Sequence, residues 1–279
     1  MKIGYLGPEG SQTQLAAEKF SSKLPSAAEL TPLPGLAQVM AAIAHNELDY
    51  AVLPAENSIE GSINATWDWL VFRTDLPVVG ELTLPVRHFL VGHRAQKISA
   101  IRTVLSHPQA LAQCREYLRT MLPQAIEYET VSTAEAARVV SVNRLPIAAI
   151  AGEQAAARYG LDILAADIQD IKENTTRFVI VGRKPLELAL SRLNYKTSLA
   201  CMVERDQPGS LHDILEIFAA KQINLTRIES RPARKNLGDY IFLIDTEKGL
   251  DSPAIIAALH ELHERNNLLK VLGSYPVLD

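Results

Sequence analysis

Asn174-Thr175-Thr176-Arg177-Phe178 joins two unlike segments of the chain. Before it lies a polar, charged loop, residues 167–173. After it runs Phe178-Val179-Ile180-Val181, an apolar stretch that reads as a buried strand. Two hydroxyls and a guanidinium therefore stand at a strand mouth, where open α/β sheets place their ligands. A hydroxyl can donate a hydrogen bond to a leaving oxygen, and an arginine can hold a carboxylate in a bidentate fork. The same residues also make an ordinary strand entrance with a solvated charge, so the rest of the chain decides.

Upstream, strands and helices alternate. Lys2 to Leu6 reads as a strand, Gly7-Pro8-Glu9-Gly10-Ser11 as a turn, and Ser11 as the N-cap of a helix from Gln12 to Phe20. Such a helix start offers backbone N–H groups to anions, although the turn is not a dinucleotide fingerprint. Tyr50 to Leu53 is a second buried strand, stopped by Pro54, and Asn57 and Ser58 fall in the polar loop that follows. Leu84 to Gly92 reads as another strand, with His88 and His93 as structural or surface residues. His107 is a possible acid or base and equally a good helix start before Pro108. Ser132-Thr133-Ala134-Glu135 is a capping box.

Continuous apolar strands alternating with helices imply parallel sheets covered on both faces. We expect two α/β lobes, the chain crossing between them near residues 78–82 and returning near Phe178. That arrangement would bring Ser11, Asn57, Ser58, Thr175 and Thr176 to one cleft. The last third, from Thr197, reads as βαββαβ, the ferredoxin-like order. A module of that size has little core of its own, so self-association is expected.

Composition narrows the classes. The chain has 279 residues, 47% hydrophobic and 22% charged, which suits a globular protein of about two domains. A net charge of −4 without a basic cluster argues against nucleic-acid binding. Cys114 and Cys201 make neither a disulfide framework nor a zinc pattern, and suggest a reducing compartment. No export signal or membrane-length apolar run is visible, so a cytoplasmic protein is expected.

The ordered set Gly7-Pro8-Glu9-Gly10-Ser11, Pro54 to Gly61, His107 to Cys114, Ser132-Thr133-Ala134 and Asn174 to Phe178 resembles the prephenate dehydratase family. Gly209-Ser210-Leu211, Ile223-Asn224-Leu225-Thr226 and Glu229-Ser230-Arg231-Pro232 resemble the ACT regulatory domain that follows it there. Ser210 is a departure, because the family usually has a small apolar residue after the glycine. That bears on effector affinity, not on the fold.

The resemblance implies an α/β fold with a two-lobed, periplasmic-binding-protein-like catalytic domain at 1–183. Lobe 1 would be about 1–78 and 177–183, and lobe 2 about 79–176. A linker at 184–195 and an ACT domain at 196–279 would follow. No fused chorismate mutase region is expected.

The implied reaction converts prephenate to phenylpyruvate with loss of water and CO2, under feedback inhibition by L-phenylalanine. Arogenate dehydratase and a non-catalytic carboxylate-binding protein remain as alternatives. By resemblance Thr176 is catalytic, and Ser11, Thr13, Asn57, Ser58, Thr175, Arg177 and Phe178 bind substrate. Gly209, Ser210, Leu211, Asn224, Leu225, Glu229 and Ser230 would bind the effector. No metal or organic cofactor is expected, and a homodimer or homotetramer is.

Overall fold

The computed structural model describes residues 1–94, 96–188, 194–203, 208–234, 240–265 and 267–279. Residues 189–193 of the expected linker lie outside the described residues. The chain begins β1 (Lys2–Leu6), α1 (Gln12–Ser22), β2 (Glu29–Leu33), α2 (Leu36–Ala44), β3 (Tyr50–Asn57), β4 (Gly61–Ser62), α3 (Asn64–Phe72) and β5 (Val78–Pro85). It continues through β6 (Phe89–Gly92), β7 (Thr103–Ser106), α4 (Pro108–Gln113), α5 (Arg115–Met121), β8 (Ile126–Glu129), α6 (Thr133–Val142), β9 (Ile147–Ala151), α7 (Glu153–Arg158) and β10 (Asp162–Ala165). It ends with β11 (Thr175–Gly182), β12 (Tyr195–Val203), α8 (Ser210–Ala220), β13 (Leu225–Pro232), β14 (Tyr240–Thr246), α9 (Pro253–Glu264) and β15 (Asn267–Pro276).

Among the described residues the strands form three sheets. The first has the order β2-β1-β3-β11-β5, with β4 added to β3; the second has the order β10-β6-β9-β7-β8. Neither is purely parallel, as continuous apolar strands had suggested. β11 runs antiparallel to both β3 and β5, because β5 leaves the first lobe and β11 returns to it. The crossing also lies later than expected. β5 stays paired with β11 as far as Pro85, and the second sheet starts at Phe89. One expected strand, Leu84 to Gly92, is therefore two, separated at residues 86–88.

Pro54 does not end its strand. β3 continues to Asn57, and the ladder with β11 shifts register between Arg177 and Phe178, opposite Pro54 and Glu56. A proline, lacking an N–H, is tolerated at such a bulge. α1 forms as anticipated: Ser11 Oγ accepts from Gln14 N at 3.3 Å, and Thr13, Ala16, Ala17 and Phe20 bury one face.

The third sheet, β13-β14-β12-β15, is antiparallel throughout. One face packs α8 and α9 through Leu199, Cys201, Phe218, Ile244 and Leu262. The other does not face solvent. Ala200, Ile241, Leu243, Leu272 and Tyr275 join a single core with Trp67, Leu70, Val78, Val179 and Val181 of the first lobe. Gly273 lies so close to β5 that a Cβ there would overlap the Val78 carbonyl oxygen. The chain end runs on along β5, with Leu278 N donating to Glu81 O at 2.8 Å and the Leu278 side chain in the core beneath α1.

Candidate active site

Thr176 sits where β3 and β11 run out together, its Cα paired with Asn57 on one side and Leu84 on the other. Asn57 Nδ2 donates to Thr176 Oγ1 at 3.0 Å and to Asn174 Oδ1 at 2.8 Å. Asn57 Oδ1 is occupied by the N–H groups of Ile59 and Glu60, at 3.0 and 3.1 Å. Every polar atom of that amide is therefore committed, and its orientation is fixed. Ser58 braces the same corner. Its N donates to Thr175 O at 2.9 Å, and its Oγ accepts from Thr175 N at 2.9 Å. Asn57, Ser58, Thr175 and Thr176 are thus brought together.

The second lobe reaches this corner through a residue the sequence reading did not single out. Gln113, at the end of α4, accepts at Oε1 from Asn174 Nδ2 at 3.0 Å and lies 3.0 Å from His88 Nε2. A carbonyl oxygen only accepts, so His88 carries its proton on Nε2. Burial pushes the His88 pKa down, against the opposing bond to Gln113. Gln113 Nε2 is buried with no hydrogen-bond partner among the described residues. An unpaired buried donor at a lobe seam is an unspent contact for a ligand. The available signal was a polar residue closing the apolar run Ala110-Leu111-Ala112 at the end of α4. Asn174 and His88 were likewise missed as parts of this network.

The lobes touch across the seam. Glu9 pairs with Arg158, and a Cβ on Gly10 would stand 3.3 Å from Ala155 Cα. Gly10 has a φ of +83°, so glycine suits both its backbone and its neighbours. Beside this contact lies a cavity of about 360 Å³, lined by Gln12, Leu84, Arg87, Thr133 and Gln154 among others. Its wall residue Leu84 is the strand partner of Thr176. Ser11 caps α1 and Thr13 is buried in its first turn, while their neighbours Gly10 and Gln12 line the cavity.

Arg177 and Phe178 depart from expectation. Phe178 is 1% exposed and belongs to the core under α1, with Ile3, Tyr5, Val52 and Leu82. Arg177 points to the other face of the sheet, because adjacent strand residues alternate. There its Nε donates to Glu81 Oε2 at 2.7 Å, Nη1 to Asp245 Oδ2 at 2.6 Å and Nη2 to Tyr275 OH at 2.9 Å. Lys196 Nζ completes the cluster at 2.6 Å from Glu81 Oε1. Desolvation works against the Arg177 charge, but Tyr275, Asp245 and Glu81 outweigh it and hold the guanidinium protonated. It is saturated by the protein and has no fork to offer a substrate. Arg87 puts a guanidinium on the wall of the seam cavity, where Asp167 holds it bidentate at 2.6 and 2.7 Å.

The expected effector residues divide between the two faces of the third sheet. Gly209, with a φ of +100°, caps α8 ahead of Ser210 and Leu211. Leu225 packs on the same helix-side core, and Ser230 pairs with Phe242 of that core. Asn224 leads into β13, and its carbonyl accepts from Glu247 N at 3.2 Å. Glu229 pairs with Leu243, which faces the first lobe. Its carboxylate takes bonds from Ser62 Oγ and Arg227 Nη2. Burial acts to raise its pKa, yet Ser62, Arg227 and Arg231 hold the carboxyl below its usual range.

The comparisons with known proteins agree over the whole chain. The family model "Prephenate dehydratase" matches residues 3–186 and the model "ACT domain" residues 197–264. The prephenate dehydratase of Methanocaldococcus jannaschii is 38% identical over 99% of this chain and 98% of its own. Chloroplastic arogenate dehydratase/prephenate dehydratase 2 of Arabidopsis thaliana is 41% identical over 99% of this chain and 73% of its own. Among solved structures, prephenate dehydratase of Arthrobacter aurescens in complex with L-Phe superposes with a TM-score of 0.87. It is 34% identical, covering 99% of this chain and 90% of that one.

Proposed function

The chain belongs to the prephenate dehydratase family, with an ACT domain after its catalytic region, and from that premise we propose how its residues carry the reaction. The activity is the decarboxylating dehydration of prephenate to phenylpyruvate. The bond from the ring to the hydroxyl breaks and its electron pair leaves on oxygen. The bond to the ring carboxylate breaks in turn, its pair completes the aromatic ring, and CO2 departs. The leaving oxygen departs as hydroxide, steadied by a hydrogen bond, and takes one proton from solvent to become water. Aromatisation drives the sum, so the poor leaving group is the obstacle.

The observation that carries the residue assignment is the Asn57–Thr176 bond. Thr176 Oγ1 is the acceptor in it, so its own O–H is left to donate elsewhere. Thr176 therefore serves as a fixed hydrogen-bond donor to the departing oxygen. A threonine is too weak an acid to release its proton outright. One preorganised donor of this kind is worth about 3 kcal/mol in the transition state. Thr175, Ser11 and Thr13 hold the substrate at the seam, while Asn57 and Ser58, whose polar atoms are already engaged, act by fixing Thr175 and Thr176. Arg87 takes the carboxylate role first expected of Arg177, and Gln113 Nε2 supplies a further donor. Contact between the lobes keeps the reacting carboxylate poorly solvated, which favours loss of CO2.

The ACT module binds L-phenylalanine on its helix side, near Gly209, Ser210, Leu211, Asn224, Leu225 and Ser230. The L-Phe complex of the Arthrobacter relative supports that reading. Partly exposed Leu211, Ile228 and Tyr240 support pairing of modules in a homodimer or homotetramer, acting in the cytoplasm. Among the described residues no helix is long and apolar enough to cross a membrane.

The deciding experiment incubates the protein separately with prephenate and arogenate and compares kcat/KM. A higher kcat/KM for phenylpyruvate from prephenate than for phenylalanine from arogenate is the expected result. A higher kcat/KM for arogenate would reassign the substrate, and no turnover of either would reject catalysis.

A further inference from the structure

Two polar clusters join the ACT sheet to the first lobe, and neither takes part in the chemistry above. In the first, Arg177 is gripped by Asp245 and Tyr275, and Ser198 Oγ lies 2.5 Å from both Asp245 Oδ1 and Tyr275 OH. Glu81 and Asp245 are each 1% exposed, and Tyr275 is fully buried. In the second, Arg227 Nη2 donates to Ser62 Oγ at 2.9 Å while Ser62 donates to Glu229. The Arg227 guanidinium lies 4.2 Å from the centre of the Trp67 ring. Arg231 and Arg234 both reach Asp68 on α3.

These clusters have specific attachment points. Arg177 follows Thr176 directly in β11. Ser62 belongs to the β3–β4 hairpin, where Ser62 pairs with Glu56 and Gly61 with Asn57. The two backbone segments that carry the Asn57–Thr176 bond are thus each fastened, from behind, to the same sheet of the ACT module.

We infer that the ACT sheet is the floor of the catalytic corner, and that Arg177 and Ser62 are positioning residues that set the separation of Asn57 and Thr176. The inference rests on Thr176 being the donor. A donor must be held within about 0.5 Å of its productive place. A planar guanidinium with partners on β5, β14 and β15 resists sliding in every direction within its plane, because any shift breaks a buried charge-assisted bond. Moving the ACT sheet against the first lobe therefore drags β11 or the hairpin with it, and spoils the alignment of the hydroxyl.

The test uses the full chain with Tyr275→Phe and Ser62→Ala, each removing one hydroxyl and leaving the cleft untouched. Folding is checked by circular dichroism, and assays are run well below each melting temperature. The expected result is a kcat lowered roughly fivefold or more, with KM for prephenate within about twofold of the parent. Retained kcat in both folded variants overturns the inference, as does a raised KM with unchanged kcat. Thr176→Ala is assayed alongside. If it keeps parental turnover, the reading of Thr176 fails. If it is inactive while Tyr275→Phe and Ser62→Ala match the parent, only the positioning role fails.

Discussion

Thr176 and Arg177 are neighbours on one strand and serve opposite faces of its sheet. The hydroxyl accepts from Asn57 at the lobe seam, and the guanidinium donates to Asp245 in the ACT module. A single dipeptide thus joins the chemistry to the regulatory sheet, and substitutions at its two positions should fail in different ways.

Thr176→Val keeps the β-branched shape and loses the donor. We expect a melting temperature close to the parent and a kcat lower by roughly 100- to 1,000-fold, the usual effect of removing one preorganised donor. Thr176→Ser should recover much of the rate. Steady-state assays with prephenate and thermal melts decide both points.

Arg177→Ala should act first on stability. It strands Glu81 and Asp245 in the interior, and breaking a buried ion pair from one side costs about 3–5 kcal/mol. Urea unfolding of the parent and the variant measures this. A variant as stable as the parent would show that the cluster is solvated.

Arg87→Ala should do the reverse. Arg87 is half-exposed and its partner Asp167 is on the surface, so little stability is at stake. Because its guanidinium lines the seam cavity, its loss should raise KM for prephenate roughly tenfold, with kcat changed far less.

His88 gives a pH dependence with a defined sign. Burial holds its folded pKa below the ordinary 6.5. Below that value the unfolded chain takes up the proton more readily than the folded one, so acid favours unfolding. The stability from a neutral His88 is complete above about pH 6.5 and is lost as pH falls through the folded value. Melts from pH 8 to 5 should therefore show a steeper decline in the parent than in His88→Gln.

Much of this was legible in the residues. Ser11 and Ser132 announced helix starts, and both hydroxyls accept from the third residue on, Gln14 and Glu135. The strand and helix order of the last third was readable from periodicity alone. Alternation along a strand should also have separated Arg177 from Thr176, but the motif drew the two together. Other features have no local signal. Pro54 continues a strand only because β3 itself bulges beside it, with Ala55 as the extra residue between the partners of Arg177 and Phe178. Glu81 sits in an apolar strand, and its partners Arg177 and Lys196 lie some hundred residues away. Gln113 became visible as a site residue once its unpaired Nε2 was seen at the seam.

The tight approach of Gly273 to the Val78 carbonyl bears on interchangeability. A regulatory module transplanted from a relative can seat on this lobe only if its last strand presents a bare backbone at that point. Any side chain there would hold the graft away from β5. A hybrid enzyme would then carry an effector site with no purchase on the reaction it is meant to govern.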